Sequence, residues 1–225
     1  SGVGGASDLF SRLLARCMEK EMGANIEVVN KPGAGTQHAL QAASTAKPDG
    51  YTVVQTALPT GIMLYLDPQK KAQFDGKSFS PISMQTSDPG ATAVRANSPY
   101  KTMNDLIDAA KANPGKIKFG AGTKATRQHL DCVRLEQAAG VKFQTVHAGS
   151  DAQPVVMLVG GHLDVVEESV GDFENLVRSG ELRILGVWDE NESPMAPGVK
   201  TMKAQGYNLI SGASRGLAAP AGTPD

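Results

Sequence analysis

The sequence predicts an α/β fold in two lobes, with mostly parallel sheets and two crossover strands between the lobes. Three observations predict it. Helical and extended segments alternate along most of the 225 residues, and the helices run about 10–15 residues, as expected when strands are joined by helical crossovers. Two extended stretches, near 82–96 and 207–219, have no helix of their own and read as the chain passing from one lobe to the other. Glycine (25) and proline (13) are frequent while aromatics make up only 5%, which suits a chain with many tight turns. The pair of crossovers makes a hinge and a cleft. Lobe 1 is expected from 1–92 plus 210–225 and lobe 2 from 97–206, with hinges near 93–96 and 207–213.

Each element follows from local signals. Ser7 can cap a helix from Asp8 to about Met22, with Leu9, Phe10, Leu13, Leu14, Cys17 and Met18 on one face and Gly23 as its stop. Ile26–Val29 reads as a short strand. Lys31–Gly35 is a loop before an alanine-rich helix to about Ala46. Pro48-Asp49-Gly50 is a turn, and Tyr51–Ala57 a strand. Beyond a variable stretch, Phe79–Met84 and Ala91–Ala96 are extended. Thr102, with Asp105 three residues on, opens a helix through a capping box, and Asn113-Pro114-Gly115 closes it. Then come strand Ile117–Gly120, helix Ala125–Ala139, strand Lys142–Val146 and helix Asp151–Val159. Strand Leu163–Glu167, helix Val170–Arg178 and strand Ile184–Trp188 follow, with a last extended piece at Tyr207–Ala219. The chain opens on a glycine loop and stops at Thr223-Pro224-Asp225, a helix start, so it reads as truncated at both ends.

Composition excludes several functions. A formal net charge of −1 argues against a nucleic-acid partner, which needs a basic face. No apolar run reaches the roughly 18 residues a membrane helix requires, so the chain is not membrane-embedded. No CxxC or histidine cluster suggests a metal, and no cofactor is expected. Cys17 and Cys132 read as two buried thiols.

The candidate ligand residues lie at loops that precede helices or follow strands. Gly4-Gly5-Ala6-Ser7-Asp8 offers free amides and a helix N-terminus to an anion, the ordinary alternative being a plain βα turn. Gly120 to Thr126 repeats the arrangement with Gly122, Thr123, Lys124 and Thr126, but it lacks the third glycine of a dinucleotide fingerprint and the spacing of a Walker loop. Amides and hydroxyls without a metal suit a carboxylate. Thr56, Ala57, Pro59 and Thr60 follow a strand, the end at which open α/β sheets bind ligands. His147 and Ala148 also follow a strand. Glu168 closes another and could accept a hydrogen bond from a ligand. Arg215 is a cation in a small, apolar return strand, where it needs an anionic partner, either a ligand or an internal carboxylate. No G-x-S-x-G or other nucleophile–base pattern accompanies the histidines, so no catalytic residue is expected.

Taken in order, the motifs resemble the receptors of tripartite tricarboxylate transporters (the Bug or TctC receptors) over essentially the whole chain. The resemblance rests on Gly4–Asp8, Asn30–Gly35, Lys47–Thr52, Ala112–Lys116, Gly160–Asp164, Gly180–Arg183 and Gly216–Pro224. It implies a periplasmic, type II Venus-flytrap receptor, a monomer with a small carboxylate ligand and the membrane components of the transporter as partners. The carboxylate would be held by the first glycine loop, the loop after Tyr51–Gln55 and the Gly122-Thr123 loop. The sequence departs from the family's pattern at His147–Ser150, where Pro-Tyr-Lys-Gly is common, at Glu168, where Asp is common, and at Arg215, where a large aromatic is common. Two other readings stay open. One is an α/β enzyme using the glycine loops for a phosphorylated cofactor; the other is the effector-binding domain of a transcription regulator.

Overall fold

The computed structural model describes residues 6–122, 126–148 and 153–224. The chain divides into two compact units, one of residues 1–86 and 214–225 and the other of residues 87–213.

The first unit carries α1 (Ala6–Met22), α2 (Gln37–Ser44), β1 (Val54–Leu58) and α3 (Thr60–Leu66). It also holds the first part of β2 (Phe79–Arg95) and most of β7 (Gly212–Pro220). β1 and β7 pair antiparallel, Val54 opposite Ala218 and Leu58 opposite Ser214. The core is small: Leu40, Ala43, Val54, Leu64, Phe74 and Ala218, with Phe79 edge-on to Phe74 at 5.8 Å. Ile26–Val29, expected as a strand, is not one, and Val29 is exposed. Four residues hold a strand conformation only when a ladder satisfies their amides, and no strand pairs with this segment among the described residues. The inward face of α1 also differs from the expected stripe. Asp8 and Ala15, seven residues apart and so on one face, are buried, while Leu9, Leu13 and Cys17 are exposed. Cys17 is therefore not the buried thiol the sequence suggested.

The second unit is a sheet covered on both faces. It comprises the rest of β2, α4 (Met103–Ala112), β3 (Lys118–Ala121), α5 (Arg127–Ala139) and β4 (Gln144–His147). α6 (Gln153–Val159), β5 (Val165–Ser169), α7 (Val170–Arg178) and β6 (Leu182–Trp188) complete it. Alternation along the strands sends successive side chains to opposite faces. Val165 joins Phe119, Leu106, Leu135 and Trp188 on the α4 and α5 side; Val166 joins Leu158, Leu163, Val170 and Phe173 on the α6 and α7 side. Trp188 is fully buried and donates from its indole nitrogen to Thr92 at 2.8 Å, which satisfies both polar groups.

The strand order is β1-β7-β2-β5-β3-β4, with β6 also pairing with β2. The expectation of mostly parallel sheets needs correction. β3 is parallel to β4 and β5, but β2 runs antiparallel to both β5 and β6, as β7 does to β1. The reason is geometric. The β5–α7–β6 unit leaves a space one strand wide between its two strands, and the crossover β2 enters that space from the opposite direction. Gly212, at the start of β7, lies against the Asp88 carbonyl, where an added Cβ would be 2.5 Å from that oxygen. Cys132, in the core, is held near the Thr145 hydroxyl at 3.6 Å.

Candidate functional site

The residues expected to meet a ligand fall in both units. In the first, Gly5 lies outside the described residues, and Ala6 and Ser7 open the backbone of α1. Asp8 is buried and ion-paired with Arg12, one turn on, at 3.1 Å. Its carboxylate therefore places negative charge in the first turn of α1, where an anion is stabilised. Thr56 donates its hydroxyl to the Gly216 carbonyl at 3.3 Å, tying β1 to β7. Ala57 stands opposite Arg215 in the ladder. Pro59 follows a cis peptide bond, and its carbonyl accepts from the Ile62 and Met63 amides as α3 begins at an exposed Thr60. Arg215 is half-buried and makes no ion pair or side-chain hydrogen bond among the described residues. The internal salt bridge that the sequence left as one option for Arg215 is not formed among them.

In the second unit, Thr123 and Lys124 lie outside the described residues. The Ala148 amide is already used, donating to the carbonyls of Ala121 (3.0 Å) and Gly122 (3.1 Å). His147 is exposed and packs edge-on against His129 of α5, ring centroids 4.9 Å apart. Glu168 is buried and accepts from the Gln128 amide at 2.9 Å.

Glu168 belongs to a charged network that sequence reasoning missed. Arg127, with a side chain only 9% exposed, donates to Glu167 at 2.5 Å and lies 3.4 Å from Asp131 and 3.7 Å from Glu168. Asp131 is also paired with Arg134 at 3.0 Å and accepts from the Ser211 hydroxyl at 2.6 Å. Burial raises the Glu167 carboxyl well above its ordinary value; Arg127 opposes this, and Asp131 and Glu168 add to it. Burial likewise raises Asp131 against the pull of Ser211, Arg127 and Arg134. Burial also disfavours the Arg127 charge, but Glu167, Asp131 and Glu168 outweigh it and hold the guanidinium above its ordinary value. The signal was present in the sequence: Arg127 and Asp131 are spaced i,i+4 on a helix, and two glutamates follow the apolar pair Val165-Val166 in a strand.

Burial pushes the Cys132 thiol up to about 12, the reverse of a nucleophilic thiolate. Among the described residues no group of three or more His, Cys, Asp and Glu is placed to hold a metal ion. Nor is any described helix long and apolar enough to cross a membrane.

Comparison with known proteins decides the family. Residues 10–225 match the model of the tripartite tricarboxylate transporter family receptor. The chain belongs to this receptor family. A curated relative from Cupriavidus necator, the UPF0065 protein in the gbd 5′ region, is 34% identical over 98% of this chain and 67% of its own length. The chain thus spans about two thirds of that relative. Among solved structures, the TctC solute-binding protein from Polaromonas, with no ligand, superposes with a TM-score of 0.90 at 30% identity, covering 99% of this chain and 76% of that one. MatC from Rhodopseudomonas palustris, with bound malate, gives 0.74 at 26% identity, covering 99% and 76%. The resemblance read from Asn30–Gly35 through Gly216–Pro224 lies inside the matched range; Gly4–Asp8 precedes it. Membership in a family of transport receptors does not favour the readings as a cofactor-using enzyme or a regulator's effector domain.

Proposed function

We propose that this chain is the periplasmic receptor for a small carboxylate, acting as a monomer that delivers its ligand unaltered to the membrane components of a tripartite transporter. The observation that carries the reading is Arg215. Arg215 is a partly buried cation with no acidic partner among the described residues, so its guanidinium is available to pair with an anionic ligand. Malate, bound by the similar MatC, supplies the ligand class. In the first unit, Ser7, Thr56, Thr60 and Arg215 are the proposed ligand contacts. In the second they are Gly122, Thr126, His147 and Glu168. The hinges, expected near 93–96 and 207–213, are proposed instead at the points where the chain passes between the two units, at 86–87 and 213–214.

Calorimetric titration with succinate and butyrate tests the role of Arg215. Arg215→Ala should weaken succinate by about 1.5–3 kcal/mol, the worth of a charge-assisted hydrogen bond, and butyrate by much less. Equal losses for the two acids would make Arg215 a structural residue.

A further inference from the structure

The buried network of the second unit reaches beyond α5 and β5. Gly90 on β2 has no room for a side chain: an added Cβ would collide with the Glu167 carboxylate and stand 3.0 Å from the Arg127 guanidinium. The Gly90 amide donates to the Ser211 carbonyl at 2.8 Å, and the Ser211 amide donates to the Trp188 carbonyl at 2.9 Å. The Ser211 hydroxyl is held by Asp131 at 2.6 Å, and the neighbouring Ile210 carbonyl accepts from Arg134 at 2.9 Å. Gly90 and Ser211 occupy corresponding places. One lies just after Ser87, the first residue of the unit, and the other just before Ala213, its last. The two segments by which the chain leaves this unit are thus bonded to each other, Ser211 and Ile210 are bonded to Asp131 and Arg134, and Gly90 lies close against Glu167 and Arg127.

We propose that Arg127, Asp131 and Glu167 are positioning residues. They form a buried charged junction that holds both exit segments, at Gly90 in β2 and at Ser211 just before β7, against the first two turns of α5, so that these three pieces shift as one body. Charge suits this task better than apolar packing. A planar guanidinium reaching carboxylates on two elements fixes direction as well as distance, whereas replacing a buried ion pair with apolar groups often leaves stability unchanged or improved. The value of such a pair lies in the geometry it selects. The inference does not depend on which solute is bound.

Amide hydrogen exchange of the unliganded protein tests it, so the outcome is independent of the carboxylate reading. Ser211→Ala removes one hydroxyl from the junction and no backbone group. Exchange should quicken about fivefold to tenfold, the equivalent of one lost hydrogen bond, at 88–92, at 210–213 and at 130–132 together. The amides of α4 and α7 should keep their rates, and Ser211→Thr, which retains the hydroxyl, should restore the original pattern. Asp131→Ala, which removes the acceptor, should quicken the same three segments from the other side of the bond; if that variant fails to fold, the Ser211 pair decides alone. Acceleration confined to 210–213 would overturn the proposal. So would equal acceleration throughout the unit, which would make the junction only a contributor to global stability.

Discussion

Arg127 holds the least replaceable charge in the described structure. Three buried carboxylates, Asp131, Glu167 and Glu168, surround it, while the second guanidinium, Arg134, is 41% exposed. Arg127→Met should therefore cost about 3–5 kcal/mol, because it leaves buried charges without compensation. Glu167→Gln should cost much less, since Arg127 keeps Asp131 and Glu168 and the network loses a surplus negative charge. Urea denaturation of both variants gives the comparison. The raised Glu167 and Asp131 carboxyls also set the sign of a pH effect. The folded protein retains protons there that the unfolded chain releases. The stability contributed is complete below the ordinary carboxyl value of about 4 and is lost as the pH rises through the raised values. From about pH 4.5 towards neutral, the melting temperature of the wild type should thus fall more steeply than that of Glu167→Gln. Parallel curves would remove Glu167 as the cause.

The helix α4 shows what local sequence can determine. The Asp105 carboxylate accepts from the Lys101 and Thr102 amides at 2.8 and 2.9 Å, and Thr102 accepts from the Asp105 amide at 3.2 Å. These backbone bonds, that from Lys101 first, hold the Asp105 carboxyl below its ordinary value. Thr102→Ala should destabilise the second unit by about 1 kcal/mol, measurable by thermal or urea unfolding. The box was legible because cap and partner lie three residues apart. α7 was legible for a similar reason, its run from Val170 to Arg178 being bounded by local signals. Where partners are distant, the sequence was less informative. Ile26–Val29 carries strand-forming residues, but a strand needs a neighbour that composition cannot specify. α3 lies in the stretch read only as variable, although Ile62, Met63 and Leu64 continue into Tyr65 and Leu66. The direction of β2 depends on which strands it enters between. The pairs of Arg127 with Glu167 and Glu168 join residues about 40 apart, a separation that no local spacing reveals.

At the scale of the molecule, family membership states more than any single loop. Seven motifs of modest specificity, in a fixed order, pointed to the receptor family that the comparisons then showed. The ligand contacts were less legible, because amides and hydroxyls at turns are common and only tertiary structure shows which are already occupied, as the Ala148 amide is. A receptor that hands over its cargo should return it intact. Malate kept with the protein through a long incubation should be recovered quantitatively by mass spectrometry, and steady conversion would refute the non-catalytic reading. A saturating carboxylate at 100 times its dissociation constant should also raise stability by about 2.7 kcal/mol in a thermal-shift screen.

The two thiols have a practical consequence. Cys17 is exposed on α1, whereas Cys132 is buried and so weakly acidic that almost none of it is thiolate at neutral pH. A maleimide dye applied to the native protein should therefore attach once per molecule, in the first unit, with no need to engineer out the second cysteine. Because the N-terminal turn of the labelled helix is one of the proposed ligand contacts, the natural sequence already provides an attachment point for a single-fluorophore solute sensor.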